Sequence, residues 1–165
     1  MSRVPFPDVE TLWREIGELY AREGAAARCI RAQDSHGLCI TLLLLMIVMA
    51  RRGIAVHEGA LPALRATILR WHFGVLVPLR AARRALKDTD SGAYTQARQL
   101  ELAVERGLLD EVVATLRGRA LWNAEEALPR NLHLAIDAHA DANGHGLLDS
   151  AYAAAENIGR LLADP

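Results

Sequence analysis

The chain holds 165 residues, 19 basic against 20 acidic, with 52% apolar, 24% charged and only 5% aromatic side chains. That length predicts one domain, residues 1–165, able to bury a core without disulfides or a metal. The net charge of -1 excludes a nucleic-acid partner held by bulk positive charge, and the apolar content excludes disorder.

Lys87 is the only lysine among the basic residues, so arginine carries nearly all the positive charge. Alanine, leucine, arginine and glutamate are strong helix formers, and the scarcity of aromatics argues against an all-β fold. Cys29 and Cys39 lie in apolar segments with no paired Cys-x-x-Cys units, so buried free thiols are expected rather than zinc or a disulfide framework. The opening MSRVPFPDVE lacks the apolar stretch of a signal peptide, and a cytoplasmic address is the expectation.

In chain order, Asp8 predicts an N-cap. Val9, Leu12, Trp13, Ile16, Leu19 and Tyr20 follow at helical spacing, opposite Arg14, Glu15 and Glu18. Gly24 is expected to stop this first helix. A short second helix runs from about 25 to 35 and ends at the His36-Gly37 corner. Residues 38–52 are apolar on nearly every side, which predicts a buried central helix. As a helix the run 38–50 spans only about 20 Å, short of the ~30 Å hydrocarbon core, so no membrane span is expected.

Residues 54–60 read as a connector. A helix then resumes through Leu61, Leu64, Ile68, Trp71 and Val75. Pro78 predicts a kink or break near 73–77, because proline removes a hydrogen bond and clashes with the preceding turn. The helix continues to Lys87, and the polar stretch 88–93 is a turn. A long helix follows from about 94 to 116, with Leu100, Val104, Leu108, Val112 and Leu116 recurring every four residues. The Ala-rich last third, 119–163, predicts helices near 119–127, 131–142 and 149–163, with Pro129 and Asn143-Gly144 as breaks. The whole reads as an all-α single-domain bundle of about six to eight helices around helix 38–52.

Folding the chain antiparallel about turn 88–93 brings Arg80 opposite Glu101. Arg80, Arg83, Arg84 and Lys87 share a helix side, and Glu101 and Glu105 stand one turn apart on the facing helix. The expected result is a buried ion pair that sets helix register, and a substrate or anion site is the functional alternative. Gln33, Asp34, Ser35, His36, Gly37 and Leu38 form a polar corner. Gly37 permits positive φ there, and the side chains around it are expected to cap the two helix ends. Asp34 and His36 as an acid–base pair is the chemical alternative. Residues 141–152 fit a calcium loop in part, with Asp141, Asn143, Gly146 and Asp149 in place. His145 and Tyr152 occupy ligand positions they suit poorly. His133, Asp137 and Asp141 lie on one helix face without a further converging ligand, so no metal site is expected.

Leu12-Trp13, QDSHGL at 33–38, LLLLMIVMARRG at 42–53, Trp71, VPLRAARRALK at 77–87 and ELAVER at 101–106 occur in that order. In these stretches the chain resembles an uncharacterised conserved protein family of proteobacteria, a domain of unknown function. Members of that family usually carry an acidic residue and often an asparagine after the His-Gly-Leu corner, where this chain has Cys39 and Thr41. The resemblance implies an all-helical cytoplasmic protein and supplies no activity.

No catalytic residues and no cofactor are assigned on this reading. The expected function is that of a non-catalytic helical protein acting through an unknown protein partner or self-association. The alternative is a ligand-binding protein or enzyme with a polar pocket at Gln33, Asp34, His36, Trp71, Arg80, Glu101 and Glu105.

Overall fold

The computed structural model of the chain describes residues 5–89, 92–140, 146 and 149–163. The fold is all-α, with one small antiparallel pair of strands. Helix α1 (Val9–Tyr20) begins at Asp8, whose carboxylate accepts the Thr11 N–H at 2.7 Å. Helix α2 (Ala25–His36) starts at Gly24, which holds φ 76°. Gly24 therefore opens α2, whereas the expectation had it stop α1. Gly37 ends α2 with φ 66°, a left-handed turn that a side chain would disfavour.

Helix α3 (Ile40–Arg51) is the centre of the molecule, buried at every position from Ile40 to Met49. A helix with no polar face must be covered all round. Helix α7 (Ala127–Asp137) is its most extensive neighbour, and α1, α8 (Asp149–Ala163) and α6 (Ala93–Leu116) cover the remainder. No helix among the described residues is long and apolar enough to cross a membrane.

Two expectations fail beyond α3. The connector at 54–60 contains strand β1 (Ile54–Val56) followed by a 3-10 turn at Glu58–Ala60. The helix expected near 119–127 is absent: β2 (Ala120–Trp122) pairs with β1, Ile54 opposite Trp122 and Val56 opposite Ala120. Asn123 and Glu126 then take positive φ, 54° and 58°, which no helix accommodates. Pro129 does not break the next helix. It lies in the first turn of α7, where its missing N–H has no intrahelical partner to lose.

The far edge of β1 is closed by one side chain. Buried Asn131 accepts the Val56 N–H at 2.9 Å and donates to the Ile54 carbonyl at 2.9 Å and the Met46 carbonyl at 3.1 Å. A primary amide carries both a donor and an acceptor, so it completes a strand edge as a neighbouring backbone would.

The helix interrupted by Pro78 does not break. Helix α4 (Leu61–Thr67) passes into a π-helical stretch, Ile68–Leu76, and this into α5 (Val77–Ala85). The Val77 N–H reaches back to the His72 carbonyl, the five-residue reach of a π turn. Wider winding moves the buried face. The expected series Ile68, Trp71, Val75 is replaced by Ile68, His72 and Leu76, while Val75 is 40% exposed. Helix α5 ends at Ala85, short of the expected Lys87.

Helix α6 changes character along its length. Leu108, Leu109, Val112, Val113 and Leu116 enter the core, but Leu100 is 54% exposed. The four-residue series therefore holds from Val104, which packs against the core, to Leu116, and fails only at Leu100. In the first half the inward positions are held by Glu101 and Glu105.

Candidate functional site

Arg80 on α5 is 5% exposed and stands between two carboxylates of α6. Its Nε donates to Glu101 at 2.8 Å and its Nη2 to Glu105 at 2.7 Å. Arg83 donates to the second oxygen of Glu101 at 2.6 Å. The expected Arg80–Glu101 pair is present and extends to Glu105. Burial pushes the Glu105 carboxyl above its ordinary value, against the pull of Arg80. For Arg80 burial opposes the charge, but the hydrogen bonds and attraction of the two glutamates outweigh it and hold the guanidinium above its usual value. The third nitrogen, Nη1, is buried and has no hydrogen-bond partner.

Beside this cluster lies a cleft of about 590 Å³ bounded by α1, α2, α3, α5 and α6. The α5–α6 wall is charged: Arg80, Arg83, Arg98, Glu101 and Glu105, with Tyr94 beside them. The opposite wall is largely apolar, built from Trp13 and Ile16 of α1, Ile40 and Leu44 of α3, and Cys29 of α2. Gln33 and Thr41 add polar groups on that side. The rim carries Tyr20, Ile30 and Leu102, which are 38%, 48% and 51% exposed. Trp13 is steadied from outside by the Arg106 guanidinium, 5.5 Å from its ring centre.

The seven residues expected to share one pocket divide. Gln33, Arg80, Glu101 and Glu105 line the cleft, while Asp34, His36 and Trp71 do not. Asp34 pairs at the surface with Arg84 at 2.5 Å. Trp71 meets α6 further along, its Nε1 donating to Glu111 at 2.7 Å while its ring covers Gly107. A Cβ at Gly107 would lie 2.8 Å from that ring. Burial acts to raise the Glu111 carboxyl, but hydrogen bonds from Trp71 and Thr67 and the charge of Arg70 hold it below its ordinary value.

The corner between α2 and α3 is capped by distant histidines, not by the Gln33–His36 side chains expected to do so. His72 donates from Nε2 to the Gly37 carbonyl at 2.8 Å, and the Cys39 N–H donates to His139 Nε2 at 2.9 Å. His139 Nδ1 faces the Ala135 carbonyl at 2.8 Å. A backbone N–H can only donate, so His139 accepts at Nε2 and carries its proton on Nδ1. Burial pushes His72 down to about 4 and lowers His139 as well. Cys29 and Cys39 are buried free thiols, as expected, both raised to about 11 by burial.

Among the described residues the remaining candidates give no ligand set. Among the described residues no group of three His, Cys, Asp or Glu side chains could hold a metal ion. His133 Nδ1 faces the Pro129 carbonyl at 2.9 Å, and Asp137 accepts from the Tyr152 hydroxyl. Asp141, Asn143 and His145 of the calcium-loop pattern lie outside the described residues.

Sequence reasoning missed Trp13, Gly17, Tyr20, Arg83, Tyr94 and Arg98 as cleft residues. Gly17 carried a readable signal. A glycine inside a helix costs about 1 kcal/mol relative to alanine, and here a Cβ would have nothing within 4 Å. No close packing requires its bare backbone; the space it leaves belongs to the cleft.

No curated protein and no solved structure matches the chain. One family model, described as a protein of unknown function (DUF2390), matches residues 11–112. That span contains every residue of the cleft. The chain belongs to the DUF2390 family.

Proposed function

We propose that this protein is a non-catalytic binding protein that takes a small molecule into the cleft between α1–α3 and α5–α6. The supporting observation is the cleft itself. At about 590 Å³ it falls within the range of small-molecule sites, roughly 300–1,000 Å³, and it combines an apolar wall with a few fixed polar groups. Arg80 is oriented from two sides before any ligand arrives, and such preorganisation lowers the cost of binding. The same wall holds no nucleophile next to a base and no metal ligand set among the described residues. The buried free thiols suit a reducing compartment, which supports a cytoplasmic address.

The test uses the uncharged probe N-phenyl-1-naphthylamine, whose fluorescence rises in apolar surroundings. Saturable binding to the wild-type protein is expected, with Gly17→Phe weakening it at least about tenfold by filling the cleft. Gly17→Phe should melt no lower than wild type, since it replaces a helix-interior glycine. No binding, or equal binding by wild type and Gly17→Phe, overturns the reading.

A second reading, a protein partner or self-association, is favoured by Leu69, Phe73 and Val77. They are 68%, 38% and 42% exposed at four-residue intervals along the α4–α5 helix. Exposed apolar stripes of this kind mark contact surfaces. Light scattering after size exclusion tests the self-association form, which a monomer at all concentrations would remove.

A further inference from the structure

Resting on the binding reading above, we propose that the cleft selects an uncharged ligand with an apolar body and an amide-type polar group, and that Gln33 and Thr41 bind that group. Gln33 stands in the last turn of α2 and Thr41 in the first turn of α3. The two residues flank the Gly37 corner, and both line the cleft. Thr41 is 8% exposed, and its hydroxyl has no hydrogen-bond partner among the described residues. That hydroxyl is nevertheless open to water. Among the described residues, the buried side-chain polar atoms that lack both water access and a partner are His72 Nδ1 and Arg80 Nη1. Thr41 is otherwise enclosed by the core, so the space its hydroxyl meets is the cleft. The half-buried Gln33 amide is likewise unpartnered and open.

The chemistry of these two groups sets the class of ligand. A hydroxyl and a primary amide each donate and accept. Together they match a group that does both, as a carboxamide or a lactam does. A carboxylate can only accept, and a sugar or nucleotide carries more polar groups than two side chains satisfy. Charge points the same way. Arg80 and Arg83 are paired with Glu101 and Glu105, so these charges balance one another. Arg98, the remaining described cation of that wall, is exposed, where a charge interaction is weak. A charged ligand would therefore lose hydration without meeting an unmatched counter-charge inside the cleft. Trp13, Ile16, Ile40 and Leu44 cover the apolar body.

The test measures displacement of N-phenyl-1-naphthylamine, at neutral pH, by two competitors of the same shape: 2-naphthamide and its anionic counterpart 2-naphthoate. The amide should displace the probe from the wild-type protein at about tenfold lower concentration than the carboxylate. Thr41→Val and Gln33→Met should each weaken naphthamide by about threefold to tenfold, the effect of one neutral hydrogen bond. Both variants should still bind N-phenyl-1-naphthylamine within about twofold of wild type. Thr41→Val exchanges an unpartnered hydroxyl for a methyl of the same shape, so it should melt no lower than wild type. A lower melting temperature would put the hydroxyl in a bond within the fold and overturn the inference. No displacement by naphthamide, naphthoate binding at least as tightly as naphthamide, or naphthamide affinity unchanged in both variants also overturns it, while the cleft reading survives. If N-phenyl-1-naphthylamine itself does not bind, the cleft reading falls.

Discussion

Arg80→Met keeps most of the side-chain volume and removes the charge. In the wild-type protein the Arg80 side chain is 6% exposed, and its partners Glu101 and Glu105 are 13% and 19% exposed. Without Arg80, Glu101 keeps Arg83 at 2.6 Å, but Glu105 loses its hydrogen-bonded cation and keeps only the more distant charge of Arg83. Removing one partner of a buried pair costs about 3–5 kcal/mol, chiefly through the charge left behind. The Arg83 contact favours the lower end. About 3 kcal/mol is a fall of roughly 6–12 °C in melting temperature for a chain of this size. Two further measurements identify the stranded carboxylate as the cause. Adding Glu105→Gln to Arg80→Met should restore at least half of the loss. Lowering the pH from 7.5 to 5 should shrink the deficit of Arg80→Met, because burial already holds Glu105 above its ordinary value and the variant carboxyl can take a proton. Thermal and urea melts of the four proteins of the cycle read these effects. A loss below about 1 kcal/mol for Arg80→Met is what an exposed pair gives; that, or no rescue by Glu105→Gln, would refute the buried-cluster account.

Acid should destabilise the fold through its histidines. His72 is held down to about 4 against an ordinary 6.5, so between those values the unfolded chain takes up a proton that the folded one refuses. That stabilising contribution is complete above pH 6.5 and is lost as the pH falls to 4, by about 3 kcal/mol, with His139 acting in the same direction. Urea melts across this range should show a shallower pH slope for His72→Leu, and identical slopes would contradict the assignment. Asn131→Ala should cost about 3 kcal/mol or more, since it leaves the buried Val56 N–H and two carbonyls without partners. A loss under about 1 kcal/mol in denaturant melts would show that the amide does not hold β1.

The features read correctly from the sequence are those set by local chemistry. Asp8 precedes a clean apolar stripe, so its cap and α1 are evident. Residues 38–52 have no polar face, which forces them to the centre. The Arg80–Glu101 pair followed from symmetry about a short turn and the opposite charges of two helices. Features set by distant partners were hidden. Ala55 and Ala120 carry little strand signal, and β1 and β2 exist because Asn131, far along the chain, completes the edge of β1. His72 and His139 read as isolated polar residues, yet they cap a corner formed by Gly37 and Cys39. Cleft residues such as Tyr94 and Arg98 belong to a helix face that looks solvent-facing until α1 and α2 are placed opposite it.

The π-helical stretch Ile68–Leu76 bears on which changes in length the chain can tolerate. An ordinary α-helix turns about 100° per residue, so nine residues place two side chains about half a turn apart. Trp71 and Arg80 are nine apart, yet both address α6, the tryptophan at Glu111 and the arginine at Glu101 and Glu105. A π turn winds less per residue and makes up part of that difference. Deleting one residue within this stretch, with a return to ordinary winding, would leave eight residues and about 80° between the two side chains, so both would still address α6. Ordinary winding at unchanged length would instead turn Arg80 away from the helix that Trp71 addresses, and separate the tryptophan anchor from the arginine that lines the cleft.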